Sequence, residues 1–310
     1  LRTAPEDRDP AALARFGVVN LDKPPGPSAH QVAAWVRDML GVERAAHAGT
    51  LDPKVTGCLP VLTGTATRAV PALQDATKEY VAVLELHAAP PADFEATLDE
   101  FEGPLYQKPP RKSAVSRRLR VREVYALDLL EISGRQALLR VRCEAGTYVR
   151  KLCHDIGLAL GTGAHMGDLR RTATGSFDDR DLVTLHDLAD AVAESKGGDD
   201  SRLRDALAPA ERALVDLPSI SIAPSAAREV AHGAPVYAPG IIDAEAAERG
   251  ALVACYTPNG AAVCLGRLVG DPDAASGEVV DLERVLVGGE RRDQDEALNS
   301  RSGEGRDTGP

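Results

Sequence analysis

Cysteine and lysine are sparse in this chain of 310 residues, and long apolar runs are absent. The five cysteines (Cys58, Cys143, Cys153, Cys255 and Cys264) are odd in number and hold no C-x-x-C pair. That pattern argues against a disulfide framework and against a zinc knuckle, and it suits a reducing, cytoplasmic setting. No metal and no cofactor are expected on these grounds. No stretch approaches the roughly 18 consecutive apolar residues of a membrane-spanning helix, so no membrane association is expected. The opening, Leu1 to Pro10, is charged and lacks the apolar stretch of a secretory signal. It begins on Leu rather than Met, which reads as a trimmed end.

What is present is an ordinary globular composition, 44% hydrophobic and 27% charged, long enough for one large domain and a smaller one. The net charge of −11 speaks, on its face, against a nucleic-acid partner. Seven lysines stand beside 29 arginines, and the excess acid is rich in Asp, a bias like that of proteins adapted to high intracellular salt. Short screening lengths there weaken the global field, so local charge is more telling. Between Lys108 and Arg122 lie seven basic residues and no acidic ones: Lys108, Arg111, Lys112, Arg117, Arg118, Arg120 and Arg122. A charge run is ordinarily a solvated strand and loop. In so acidic a chain, phosphate contact is the favoured reading.

Residues 1–16 read as an extended polar arm. An apolar strand from Phe16 to Leu21 ends in the turn Lys23-Pro-Pro-Gly-Pro-Ser28, and Ser28 suits the N-cap of a helix over 30–40 with Val32, Trp35, Val36 and Leu40 at helical spacing. Residues 58–64 read as a buried turn and strand, 79–86 as a strand and 94–101 as a short helix. Strands near 121–132 and 136–144 join at Ser133-Gly134, and a helix from about 148 to 160 is stopped by Gly161 and Gly163. After a turn-rich return over 175–180, Thr184 opens another helix, and 195–205 reads as a solvent loop. Beyond Ile220, short apolar runs alternate with turns, and Asn259-Gly260 is a strong hairpin signal. This part reads as a small β-rich barrel, followed from Gly288 by a polar tail of disordered composition.

Four clusters could carry chemistry. In His47-Ala-Gly-Thr-Leu-Asp52-Pro-Lys-Val-Thr-Gly57, glycines and a proline describe a rigid loop presenting one carboxylate. Pro53 biases Asp52 away from the right-handed helical region. Taken alone, the segment fits an Asx-turn better than a catalytic loop. In Gly146-Thr-Tyr-Val-Arg150-Lys-Leu-Cys-His-Asp155, Arg150 falls in the first turn of a helix, where a cation opposes the helix dipole. It needs an anionic partner or a cleft, a surface salt bridge being the plain alternative. Lys78-Glu-Tyr80 starts a strand, where a lone Tyr is more often core than catalytic. In Leu169-Arg170-Arg171-Thr-Ala-Thr-Gly175, the arginines suit phosphate contact or capping.

In order and spacing these clusters (H-x-G-T-L-D-P-x-x-x-G, K-x-Y, G-T-Y-[VI]-R and G-x-x-A-H-x-x-x-L-R-R) resemble the TruB/dyskerin family of pseudouridine synthases over about residues 17–215. Residues 216–287 resemble the PUA RNA-binding module that follows in that family. The resemblance implies an α+β fold: a mixed, largely antiparallel sheet flanked by helices, plus a small β-rich PUA pseudo-barrel. It implies that Asp52 is the nucleophile in isomerising uridine to pseudouridine, held in its charged form by Arg150. Tyr80 would stack on the flipped uracil and assist proton transfer, Leu169 would pack near the base, and His47 would brace the flipped nucleotide. Lys108, Arg111, Lys112, Arg117, Arg118, Arg120, Arg170 and Arg171 would hold RNA phosphates. The stretch Gln107 to Arg122 is similar to the thumb loop of the archaeal and eukaryotic branch. That similarity implies tRNA, H/ACA guide RNA and rRNA target as partners, together with small H/ACA particle proteins. Two other classes stand beside this reading. A glycosidase could pair Asp52 with Asp155 or Asp178, but it leaves the basic stretch and β-rich tail unexplained. A non-catalytic RNA-binding scaffold has no need to keep Asp52, Tyr80 and Arg150.

Overall fold

The computed structural model describes residues 1–108 and 118–287, which divide into two compact units. One spans Leu13–Ala213; the other combines Leu1–Ala12 with the chain from Leu214 onward. The opening residues are not an extended arm. Pro5–Asp7 form a 3-10 turn and Pro10–Arg15 a helix (α1), because Pro5 and Pro10 each supply a preset φ at a helical start. Within its own unit this segment is tied down by Arg2 Nη2 donating to Leu286 O at 2.6 Å and by Asn259 donating to Arg2 O at 3.2 Å.

The first unit is built on a ten-stranded mixed sheet. In chain order its elements are β1 (Phe16–Lys23), α2 (Ala29–Leu40), β2 (Ala45–His47), β3 (Thr56–Gly64), α3 (Val70–Gln74), β4 (Lys78–Leu86), α4 (Phe94–Asp99) and β5 (Gly103–Gln107). There follow β6 (Arg120–Ser133), β7 (Gln136–Cys143), α5 (Val149–Ala159), β8 (Ala164–Thr174), β9 (Phe177–Asp178), α6 (Leu185–Lys196), α7 (Ser201–Ala206) and β10 (Ala208–Pro209). The strand order is β10-β1-β3-β8-β4-β7-β6-β5, with β2 added to β3 and β9 to β8. All pairings are antiparallel except β3 with β8. β3 is buried continuously from Gly57 to Thr63, as a central strand covered on both faces must be. β4 alternates, burying Lys78, Tyr80, Ala82, Leu84 and Leu86 on one face.

Ser28 caps α2 by accepting from Gln31 N–H at 3.1 Å, and the buried face is Ala29, Val32, Ala33 and Val36. Trp35 does not share that face. It stands outward at 38% exposure, because Val36 beside it already fills the stripe set by Val32. Thr184 and Asp187 form a reciprocal capping box at α6. The solvent loop read over 195–205 shrinks to Gly197–Asp200, since α6 runs to Lys196 and α7 starts at Ser201. β8 is the element the sequence hid: Ala-His-Met-Gly-Asp-Leu-Arg-Arg lacks clean alternation, yet it lies between β3 and β4 in the middle of the sheet.

The second unit holds β11 (Ser219–Ile222), α8 (Pro224–Ala231), β12 (Val236–Tyr237), β13 (Ile241–Ala244), β14 (Leu252–Tyr256), β15 (Ala262–Leu268) and β16 (Glu278–Val285). These strands form a six-stranded sheet in the order β12-β16-β15-β14-β11-β13. Val230 is buried on α8, so the apolar runs beyond Ile220 are not all strands. The Asn259-Gly260 turn joins β14 to β15, with Gly260 at a φ of 77°.

Helix α5 lies against β8 so closely that a Cβ on Gly157 would sit 2.1 Å from Ala164 N and 2.5 Å from Ala164 Cβ. A Gly→Ala change inside a helix ordinarily gains about 1 kcal/mol from propensity. Here the clash falls on backbone and outweighs that gain, so Gly157→Ala should destabilise the protein by about 1–3 kcal/mol. Urea unfolding of the two proteins checks this; equal or greater stability of the variant would refute the close-packing argument.

Candidate active site

The loop between β2 and β3 carries Asp52 and is built as a rigid turn, with Val55 N–H donating to Asp52 O at 3.0 Å. Its two ends rest on different buried cations. At the C-terminal end the ammonium of Lys23, fully buried at the end of β1, donates to Pro24 O, Pro53 O and Val55 O, each at 2.9 Å. Three protons meet three acceptors, so a charge with no buried carboxylate partner is solvated by backbone alone. Burial nevertheless pushes the Lys23 ammonium below its ordinary pKa, while the nearby Asp52 carboxylate pulls it back up. Gly26 N–H donates to Pro53 O at 2.8 Å, so the Pro-Pro-Gly turn and the Asp52 loop are stitched together.

At the N-terminal end the loop rests on Arg171 of β8. Arg171 is 1% exposed; its Nε donates to Cys58 O at 2.7 Å and its Nη2 to Gly49 O at 3.4 Å. Two glycines make room for it. A Cβ on Gly49 would lie 3.3 Å from Arg171 Nη1, and one on Gly57 would lie 2.2 Å from Arg171 O. Tyr80, opposite Arg171 across β4 and β8, is also buried and hydrogen-bonds to it. Burial pushes the Tyr80 phenol up, so it stays protonated at neutral pH, though Arg171 offsets part of the effect. Leu169 belongs to the same apolar cluster.

Asp52 itself faces outward and meets Arg150 Nη2 in an ion pair, with both side chains about half exposed. Arg150 sits in the first turn of α5, the place where a cation is least favoured by the helix dipole. An exposed pair of this kind is worth about 0–1 kcal/mol to the fold. Stability therefore does not account for placing it on a loop clamped at both ends. The loop presents a carboxylate to solvent with one cation beside it.

His47, at the end of β2, enters the same loop. Its Nε2 lies 2.7 Å from Nδ1 of His30, in the first turn of α2. Burial, with His30 and Arg171 adding to it, pushes the His47 pKa down to about 4, so the ring is neutral at ordinary pH.

The basic residues divide. Arg171 is no phosphate ligand: it is buried and its donors serve the carbonyls of Cys58 in β3 and Gly49 in the loop. Arg170 is half engaged, its guanidinium making two bonds to Asp22 at 3.0 and 3.1 Å, and it lines a cleft of about 280 Å³ with Lys23, Thr56, Thr184 and His186. Asp52 is not among the residues lining that cleft. Arg122 is drawn to Glu144 at 2.9 Å. Lys108 and Arg118 are exposed and Arg120 half-buried; Arg111, Lys112 and Arg117 lie outside the described residues. Lys23 and His30 escaped the sequence reading, and Lys78 entered it only as part of the K-x-Y element, with no role of its own. A clue was available for the lysines: a chain with so few of them places Lys23 at the end of an apolar strand and Lys78 at the start of another.

Other nucleophiles are suppressed. Burial pushes the Cys58 and Cys153 thiols up to about 12 and Cys143 to about 11. Among the described residues no group of three or more His, Cys, Asp or Glu is arranged to hold a metal ion. Asp155 pairs with Lys151 on its own helix and Asp178 with Arg180.

Comparison with known proteins gives matches along most of the chain. Residues 37–93 match the N-terminal domain of the TruB family pseudouridylate synthases, 150–215 the C-terminal domain of tRNA pseudouridylate synthase B, 218–286 the PUA domain and 3–33 the DKCLD domain. A probable tRNA pseudouridine synthase B of Halobacterium salinarum is 68% identical over 299 residues, covering 93% of this chain and 99% of that protein. A crystal structure of a Cbf5-Nop10-Gar1 complex superposes with a TM-score of 0.88 at 48% identity, covering 92% of this chain and 89% of that one. A structure of an H/ACA RNP bound to a substrate RNA containing 2′-deoxyuridine superposes with a TM-score of 0.86 at 45% identity, covering 92% and 89%.

The buried Lys78 gives the site's surroundings a pH signature. Its ammonium donates to Leu73 O and Ala76 O, and burial, with Arg171 adding, pushes its pKa from 10.5 down to about 8. The folded value lies below the unfolded one, so between pH 8 and 10.5 the unfolded chain holds more protons and stability from this group rises with pH. Relative to Lys78→Met, the wild-type protein should gain roughly 3 kcal/mol across that window. Denaturant titrations of both proteins at several pH values measure it; a difference independent of pH would show that Lys78 is not desolvated.

Proposed function

Because this chain belongs to the TruB family of pseudouridylate synthases, we propose that Asp52 is the nucleophile of its uridine-to-pseudouridine isomerisation, with Arg150 as its ion-pair partner. The reaction breaks the C1′–N1 bond, turns the uracil and joins C1′ to C5. The C5 proton is given up and N1 gains one, so no atom or electron is supplied from outside. A carboxylate suffices for nucleophilic catalysis of this kind. The observation that carries the assignment is the Asp52–Arg150 pair, presented to solvent on a loop braced by Lys23 and Arg171.

Tyr80 and Leu169 form the apolar floor under the flipped base. Tyr80, neutral and tied to Arg171, serves by packing and by donating or relaying a proton as a phenol. The target uridine has to leave its stack to reach Asp52, and His47 braces it there. Among the described residues the proposed phosphate contacts are the exposed Lys108 and Arg118 with Arg120, joined by whatever Arg170 can spare from Asp22, and Arg111, Lys112 and Arg117 stay in the proposed set. We assign residues 17–215 as the catalytic domain and 216–287 as the RNA-binding module, and place the enzyme in the cytoplasm. Its free, buried cysteines agree with a reducing compartment, and among the described residues no helix is long and apolar enough to cross a membrane.

For substrate we propose two RNAs: tRNA, as the name of the Halobacterium relative suggests, and RNA presented by an H/ACA guide particle, as in the superposed complexes. Purified protein given unmodified tRNA, with and without guide RNA and the small particle proteins, decides between them. Product that appears only with guide excludes stand-alone action.

Asp52→Ala should leave the thermal transition and RNA affinity within about twofold while abolishing product, measured by nucleoside analysis of a uridine-containing RNA. Any turnover in a clean preparation of that variant rules out the nucleophile assignment. Arg150→Ala should lower turnover at least about a hundredfold with little loss of binding; unfolding of that variant would mark Arg150 as structural.

A further inference from the structure

We propose that His30 is a positioning residue that fixes the ring of His47 through the Nδ1···Nε2 contact and so keeps one wall of the nucleotide pocket preformed. This rests on the reading of the His47–Asp52 loop as the pocket for uridine.

An imidazole on a strand end turns freely about its outer torsion unless a neighbour holds it. His47 has such a neighbour. The 2.7 Å contact requires one nitrogen to carry a proton and the other a lone pair, so the proton placement on one ring is tied to that on the other. The ring centroids lie 4.8 Å apart with planes inclined at 59°, which makes His30 a steric wall as well as a hydrogen-bond partner. On the other side His47 Nδ1 is buried against the Gly49 backbone, and Arg171 is the charged group that faces the ring from β8.

His30 can do this because its own backbone is fixed. It stands in the first turn of α2, between Ala29 and Val32, which are 1% and 0% exposed, and the Ser28 cap closes that turn. Its side chain is exposed, so it anchors no core. The contact therefore links a rigid helix start to the residue that opens the Asp52 loop. A pocket whose wall is already set does not spend binding energy on ordering it.

The test is a double-mutant cycle on a uridine-containing RNA, with thermal transitions recorded for every protein. His30→Ala should lower kcat/KM about three- to tenfold in the wild-type background and have no further effect in His47→Ala. Asn places an amide where the imidazole Nδ1 lies, so His30→Asn should retain activity, whereas His30→Gln, whose amide reaches too far, should not. Independently of turnover, ring 15N shifts should report a single His47 tautomer in the wild-type protein and a mixture in His30→Ala. Full additivity in the cycle, an unaffected His30→Ala beside an impaired His47→Ala, or an unchanged His47 tautomer overturns the inference. A wild-type protein that makes no pseudouridine instead overturns the proposed function, and the 15N result still decides whether His30 holds the ring.

Discussion

Everything at the site hangs on a lysine that never touches solvent. Lys23 spends its three ammonium protons on three carbonyls, one from its own turn and two from the Asp52 loop. Were the partner a carboxylate, the pair would be neutral and local. Carbonyls solvate the charge without cancelling it, and the nearby Asp52 carboxylate pulls the Lys23 pKa back up against burial. The same interaction is a mechanical clamp and a source of positive potential beneath the carboxylate. Losing it would strand the buried Val55 carbonyl at about 1–3 kcal/mol and release the two part-buried carbonyls of Pro24 and Pro53.

Arg171 repeats the device at the other end of the loop, and Lys78 repeats it once more behind Arg171. Three buried cations with backbone partners, Lys23, Arg171 and Lys78, lie in the sheet that carries the exposed Asp52 on one of its loops. The arrangement divides labour between residues of like charge: inner cations hold shape, and only Arg150 reaches the carboxylate directly. His47 stays neutral in this company, which suits a ring that braces a base better than one that binds a phosphate. Its contact with His30 adds a further tie, at the residue that leads into the loop.

The acidic surface shows the same economy. With a net charge of −11, basic side chains left to themselves find carboxylates, as Arg170 finds Asp22 and Arg122 finds Glu144. Of the seven basic residues between Lys108 and Arg122, Arg122 is thus already held by a carboxylate. RNA affinity in such a protein leans on the few exposed cations and on shape.

The sequence by itself determined the local elements: Ser28 and Thr184 as caps, Ser133-Gly134 and Asn259-Gly260 as turns, and the alternation of β4. It also determined the family, through a loop and a helix start whose spacing few other proteins share, and with it the candidates Asp52 and Arg150. Each of these is written in neighbouring residues, where propensity and spacing act. Tertiary structure alone decided the rest. Arg171 reads as a basic residue beside another basic residue until β8 is placed between β3 and β4, which turns it inward. Trp35 reads as core until Val36 takes the stripe. Lys23 and His30 gain their meaning from partners 30 and 17 positions away, and no local pattern encodes a contact that only the closing of the sheet creates.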